Sequence, residues 1–201
     1  MNSEYLYDYA NLFERVLSTG YKLNYSTSAI ERAISYSSFF QEIEKDKNGF
    51  APIITDIDLI QSLFPEYDVS LDKVPIYNQC LWSAEAYLRI QGFTQLTFEA
   101  IFLYIPINKM YHFFTIYHEM DFSQIIQEFT TLYEQKSALS LLIDKYKYSI
   151  TDISKITNIP TVTLYSLKQR RRNIKKVSVE AIKSIADIFN VRIETLAEIK
   201  I

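Results

Sequence analysis

Only three of 201 residues are glycine (Gly20, Gly49 and Gly92), against a usual share of about 7%. Loops that cradle phosphate need glycines clustered where backbone approaches an anion, and these three stand far apart. P-loop and Rossmann nucleotide enzymes are therefore excluded. Apolar spacing then dictates the fold class. Leu6, Ala10, Phe13, Val16 and Leu17 recur at helical intervals, with Gly20 expected just past the helix end. Ser28 and Glu31 read as a capping box ahead of Ile30, Ile34, Phe40 and Ile43. The KDKNGFAP stretch (45–52) reads as a connection. Thr55 is expected to cap a helix with Ile57, Ile60 and Phe64 that stops at Pro65. Pro75 suits the first turn of the next, which carries Cys80, Leu81, Ala84 and Leu88 and is expected to stop at Gly92. Residues 98–105 (FEAIFLYI) are apolar on all sides, and periodicity leaves helix and strand both open there. Pro106 ends that run. Met110, Tyr111, Phe114 and Tyr117 mark another helix, and Asp121 with Gln124 is expected to cap the one striped by Phe122, Ile125, Ile126, Phe129, Leu132 and Tyr133. The expected class is all-α, in two parts joined near Glu134–Ser137 without a Gly/Ser linker.

At 48% hydrophobic and 22% charged residues, with mean hydropathy −0.05, the chain is globular and not disordered. No run approaches the ~18 apolar residues of a membrane span. The first residues carry acids and lack a basic start followed by an apolar run, so no secretory leader is expected and the location expected is the cytoplasm. Cys80 is the sole cysteine and can form neither an internal disulfide nor a CxxC metal pair.

Charge divides the chain. Residues 1–144 hold nine Lys and Arg against nineteen Asp and Glu, while residues 145–201 hold twelve against five. The net charge of −3 thus hides an acidic body and a basic end, the pattern of a protein that touches a polyanion with one part only. The first 136 residues also carry 12 of the 13 Phe, 13 of the 16 Tyr and Trp82. These rings can fill a helical core, or line a ligand pocket or partner face.

The basic end has the most specific pattern. Leu139, Leu142 and Ile143 mark a first helix there. A short helix at 151–157 points Ile153 and Ile156 inward. A tight turn centred on Asn158 follows, and then a helix over about 160–169 with Leu164 and Leu167 inward. After a basic loop, Val179, Ile182, Ile185, Ala186 and Phe189 define a fourth helix, and Ile193 and Leu196 a fifth. Two short helices joined by a tight turn and clamped by three others make a helix-turn-helix. The segment ITDISKITNIPTVTLYSLKQRRRN with VEAIKSIADIFNVRIETL resembles the lambda-repressor-like (Cro or XRE type) DNA-binding domain over about 60 residues. Ser154 stands where that family usually has Ala, and Asn158 where it usually has Gly in a left-handed turn. Asn adopts that conformation more readily than most residues. The departures are Lys168 for a common Glu, Arg170 for a common Gly, and a longer loop at Arg171–Lys176.

The resemblance implies a five-helix helix-turn-helix domain over 137–201 that reads duplex DNA, with the second short helix in the major groove. Opposite Leu164 and Leu167, helical geometry presents Val162, Tyr165, Ser166 and Gln169, with Thr161 and Lys168 at the flanks. Gln169 suits adenine, Thr161 and Ser166 suit hydrogen-bonding edges, and Val162 suits a thymine methyl; Tyr165 completes the expected base-reading face. Lys168, Arg170, Arg171, Arg172, Lys175 and Lys176 suit phosphate, as does Thr151 at a helix start. The family implies a homodimer, and a repressor or other transcriptional regulator. Residues 1–136 are then expected to dimerise, sense a small ligand or bind a partner protein. An antitoxin-like or phage-type inhibitor, whose helix-turn-helix autoregulates its own gene, is the alternative.

Catalytic signals are weak. His112 and His118 would point about 120° apart on a helix, and no HExxH occurs. Asp56, Asp58, Asp68 and Asp72 read as caps and turns before they read as a metal cluster. No enzyme activity, cofactor or metal is expected.

Overall fold

The computed structural model describes residues 3–45, 56–64, 77–171 and 174–198, and among them it is all-helical without a strand. The sequence-based expectations for Thr55, Pro65, Pro75, Asp68, Asp72 and most of the 45–52 connection lie outside the described residues. Four helices, α1 (Ser3–Lys22), α2 (Thr27–Tyr36), α3 (Ser38–Lys45) and α4 (Asp56–Leu63), precede the long α5 (Tyr77–Thr94). α6 (Phe98–Tyr104), α7 (Ile107–Tyr117) and α8 (Ser123–Gln135) follow. The last five are α9 (Ala138–Tyr146), α10 (Ile150–Thr157), α11 (Thr161–Lys168), α12 (Val179–Phe189) and α13 (Ile193–Ala197), with a 3-10 turn at Ile174–Lys176.

The aromatic residues go chiefly into a core between α1 and α5, the two longest helices, which lie along one another. Phe13 sits at its centre, edge-on to Phe40 at 4.9 Å and to Phe98 at 5.5 Å, and stacked on Tyr87 at 5.9 Å. Such pairs add about 0.5–1.5 kcal/mol each beyond the area they bury. Tyr87 is fully buried, and its hydroxyl donates to the carbonyl of Ile105 at 2.9 Å.

The 98–105 run resolves as helix over Phe98–Tyr104, with Ile105 as its C-cap. Thr97 caps α6 by accepting the Ala100 amide, and the helix packs on α2, α5, α8, α9 and α13. A helix packed against five others keeps almost no polar face, which is why periodicity left it ambiguous.

Several expected boundaries move. Gly20 lies inside α1, where a Cβ would stand 2.7 Å from Ile30 Cγ1 and 3.1 Å from Phe64 Cζ; it is there for close approach and does not end the helix. Gly92 lies inside α5 with open space around it, and the helix runs on to Thr94. Ser26 caps α2 instead of Ser28, and Glu31 turns inward to accept the Ile107 amide. Asp121 does bind the start of α8, its carboxylate accepting the Ser123 amide at 2.8 Å. The glycines give opposite expected results in urea denaturation. Gly92→Ala should stabilise by about 0.5–1 kcal/mol through helix propensity. Gly20→Ala gains the same term but overpacks a buried contact, typically about 1–3 kcal/mol, and should destabilise.

A second core is built by α9–α13 around Leu139, Leu142, Ile153, Leu164, Ile185 and Phe189. Ile156 and Val179, both expected inward, are 59% and 64% exposed. Left-handed Asn158 delivers Ile159 into the core beside the last turn of α10, and Val177 packs where the first residue of α12 does not reach.

The two cores meet across α6, with Leu103 packing on the second and Leu141 on the first. Around that contact runs a polar seam. Arg192, at the start of α13, donates through both terminal nitrogens to Glu44 of α3, each at 2.9 Å. Glu44 also accepts the Phe98 amide, and Glu99 accepts the Arg192 amide and the Thr195 hydroxyl. Tyr36 donates to the carbonyl of Asn190 at 3.0 Å. Burial and the charge of Glu99 push the Tyr36 phenol up to about 12.

Candidate nucleic-acid interface

α10 and α11 are short because particular residues fix their ends. Ser149 caps α10, its hydroxyl oxygen accepting the Asp152 amide at 3.0 Å and donating to the Asp152 carboxylate at 2.6 Å. That hydroxyl holds Asp152 below the usual carboxylate range. At the other end Asn158 takes φ 56° and ψ 20°, the left-handed turn that the chain needs to reverse into α11. Ser154 reaches across it and donates to the carbonyl of Ile159 at 2.6 Å. A small hydroxyl thus serves both close helix crossing and the turn's hydrogen bonding. Pro160 opens α11 with its fixed φ and offers no side-chain cap.

α11 is anchored by one side. Leu164 is wholly buried and Leu167 is 4% exposed, whereas Val162 is 74% and Tyr165 52% exposed. Thr161 and Gln169 are exposed with them, and Ser166 is half-buried, its hydroxyl donating to the Val162 carbonyl at 2.8 Å. Among the described residues no part of the aromatic core covers this face. A valine and a tyrosine open to solvent on an eight-residue helix, flanked by hydroxyls and an amide, make a surface that can lie against base edges.

The basic residues divide. Arg171 and Lys176 are exposed, Lys168 is half-buried, and Thr151 is exposed in the first turn of α10. Arg172 and the side chain of Lys175 lie outside the described residues. Arg170 has a different place from the one expected. It takes φ 53°, in the left-handed region, at a position where the resembled family often has Gly. Its guanidinium donates to the Tyr104 hydroxyl at 2.9 Å and to Glu198 at 2.6 Å, and lies 4.3 Å from the Tyr133 ring centre. Glu198 also accepts the Ala138 amide and a short hydrogen bond from Tyr104. Arg170 therefore ties the end of α11 to α6, α8, α9 and α13. Sequence reasoning missed this cluster and the Arg192–Glu44 pair, because the partners are 28 to 148 positions apart and no local spacing links them. The one available signal was Arg170 itself, a long charged side chain where a glycine is usual.

Elsewhere, His112 is exposed, and His118 places Nδ1 2.9 Å from the Phe114 carbonyl. Cys80 is buried 3.6 Å from the Tyr111 hydroxyl, and burial pushes its thiol up. Among the described residues no group of three His, Cys, Asp or Glu could hold a metal, and no helix is long and apolar enough to cross a membrane.

Residues 138–200 match the family model of the Cro/C1-type HTH DNA-binding domain. No curated protein and no solved structure matches the chain. The five helices α9–α13 are therefore a Cro/C1-type DNA-binding domain in the C-terminal third.

Proposed function

We propose that this protein with a Cro/C1-type DNA-binding domain is a sequence-specific regulator of transcription, a repressor that binds duplex DNA as a cytoplasmic homodimer and carries no enzyme activity. The observation that carries this reading is the open face of α11, with Val162 and Tyr165 outward and Leu164 and Leu167 inward. Thr161, Val162, Tyr165, Ser166 and Gln169 read bases in the major groove. Thr151, Lys168, Arg171 and Lys176 bind phosphate, together with Arg172 and Lys175. Arg170 holds the helix in place and leaves phosphate binding to its neighbours. Residues 1–136 form the dimerising or sensing part.

Selection from a random duplex pool with the purified chain should enrich one motif with half-sites about one helical turn apart. On that motif, log K should fall against log salt with a slope of about −0.9 per phosphate contacted. Arg171→Ala should weaken all sequences alike and flatten the slope by about one unit per protomer. No enriched motif, or a flat salt dependence, would sink the proposal.

A second reading has residues 1–136 binding a partner protein while the helix-turn-helix autoregulates. Ile116 and Met120, 47% and 52% exposed near the end of α7, favour it. Photocrosslinking from position 116 in the producing cell separates the two, since a homodimer gives a self-adduct and a partner gives a heterologous one.

A further inference from the structure

Where α2 and α6 of the first core face α9 and residues 190–195 of the second, the protein has a cleft of about 420 Å³. That lies within the range of small-molecule sites, about 300–1,000 Å³. Phe102 and Leu142, both buried, give it an apolar lining. Glu31 joins that lining from α2 at 8% exposure, with Oε1 accepting the Ile107 amide at 2.8 Å. Burial pushes the Glu31 carboxyl up, and the Ile107 amide and the charge of Lys145 offset only part of this.

Two cations stand over the same space. Arg32 packs on the Tyr36 ring at 5.6 Å, and Lys145 lies 5.8 Å from the Tyr146 ring centre. Both are exposed, and among the described residues neither forms an ion pair with a carboxylate, Glu31 included. Glu99, the other acid in the cleft, is already engaged by Thr195 and the Arg192 amide. The cleft thus combines one buried carboxylate that has no counter-ion among the described residues, an apolar lining, and two exposed cations.

We propose that this cleft binds a small zwitterion of the apolar dipeptide class. The ligand's ammonium meets Glu31, its side chains lie on Phe102 and Leu142, and its carboxylate meets Arg32 and Lys145. A buried carboxylate left without a counter-ion is costly, and an ammonium delivered by a ligand relieves that cost. The occupant touches both cores at once, so it is placed to change how the helix-turn-helix sits on the rest of the chain. Only that consequence for DNA affinity rests on the DNA-binding reading.

The test is calorimetric titration of the full chain, without DNA, by the free dipeptides Leu-Phe, Leu-Leu and Ala-Val. At least one should bind at a single site with a dissociation constant below about 1 mM. N-acetylation or C-terminal amidation of that dipeptide should each weaken binding by about tenfold or more. Lys145→Ala, at an exposed position, should do the same while a melting curve still shows a cooperative folded protein. Glu31→Gln keeps a carbonyl oxygen for the Ile107 amide and should abolish binding. No binding by any of the three dipeptides, equal binding of the acetylated form, or indifference to both substitutions would overturn the proposal. The titration contains no DNA, so its failure leaves the regulator reading intact. A failed motif selection, in turn, leaves the titration result intact.

Discussion

Arg192→Ala should cost about 3–5 kcal/mol of folding stability, the range for breaking a buried ion pair from one side. The Arg192 side chain is 16% exposed, and that of Glu44 only 1%. Both terminal nitrogens of Arg192 are spent on the two oxygens of Glu44. Removing the guanidinium strands a carboxylate whose remaining donor is the Phe98 amide at 2.5 Å. The loss would appear as a lower urea midpoint, and the double variant Arg192→Met, Glu44→Gln should recover more than half of it, because it removes the charge along with its partner. If the single variant unfolds at the wild-type midpoint, the seam between the two cores contributes little.

Val162→Glu should reduce affinity for the selected operator on the order of 100-fold while leaving the fold intact. Loss of an apolar contact to a base edge accounts for about 1 kcal/mol of this. A carboxylate held against a line of phosphates supplies the rest, since like charges at an interface cost several kcal/mol. Folding is spared because Val162 is 74% exposed and lies in the first turn of α11. Glutamate there has better helix propensity than valine and a favourable interaction with the helix dipole. Anisotropy on the operator and a melting curve decide the matter together. Wild-type affinity in a folded Val162→Glu protein would mean that α11 is not the element in the groove.

What was legible in the sequence follows from how local each cause is. The helix-turn-helix could be read because its determinants lie within a few residues of one another: Asn158 turns left-handed, and Leu164 and Leu167 repeat at helical spacing. The open side of α11 followed from that spacing alone. Gly20 was misread because a glycine at a helix end and one at a close helix contact look the same in one dimension, and only Ile30 and Phe64 separate them. The 98–105 run was ambiguous for a related reason, being packed against five other helices. Arg170 was assigned to phosphate by its neighbours in a basic run, yet its partners Tyr104, Tyr133 and Glu198 come from three distant segments. Charge runs report net sign, not the direction in which each side chain points.

The Arg170 cluster ties the trailing end of α11 to α6, α8 and α13, and through Glu198 to α9, so that α11 is held as an arm that moves with those helices. In the DNA-bound dimer proposed above, two arms of this kind would act as a fixed ruler along the duplex. One base pair inserted between half-sites rotates the second by about 34–36°, and an arm without a joint has no way to follow it round.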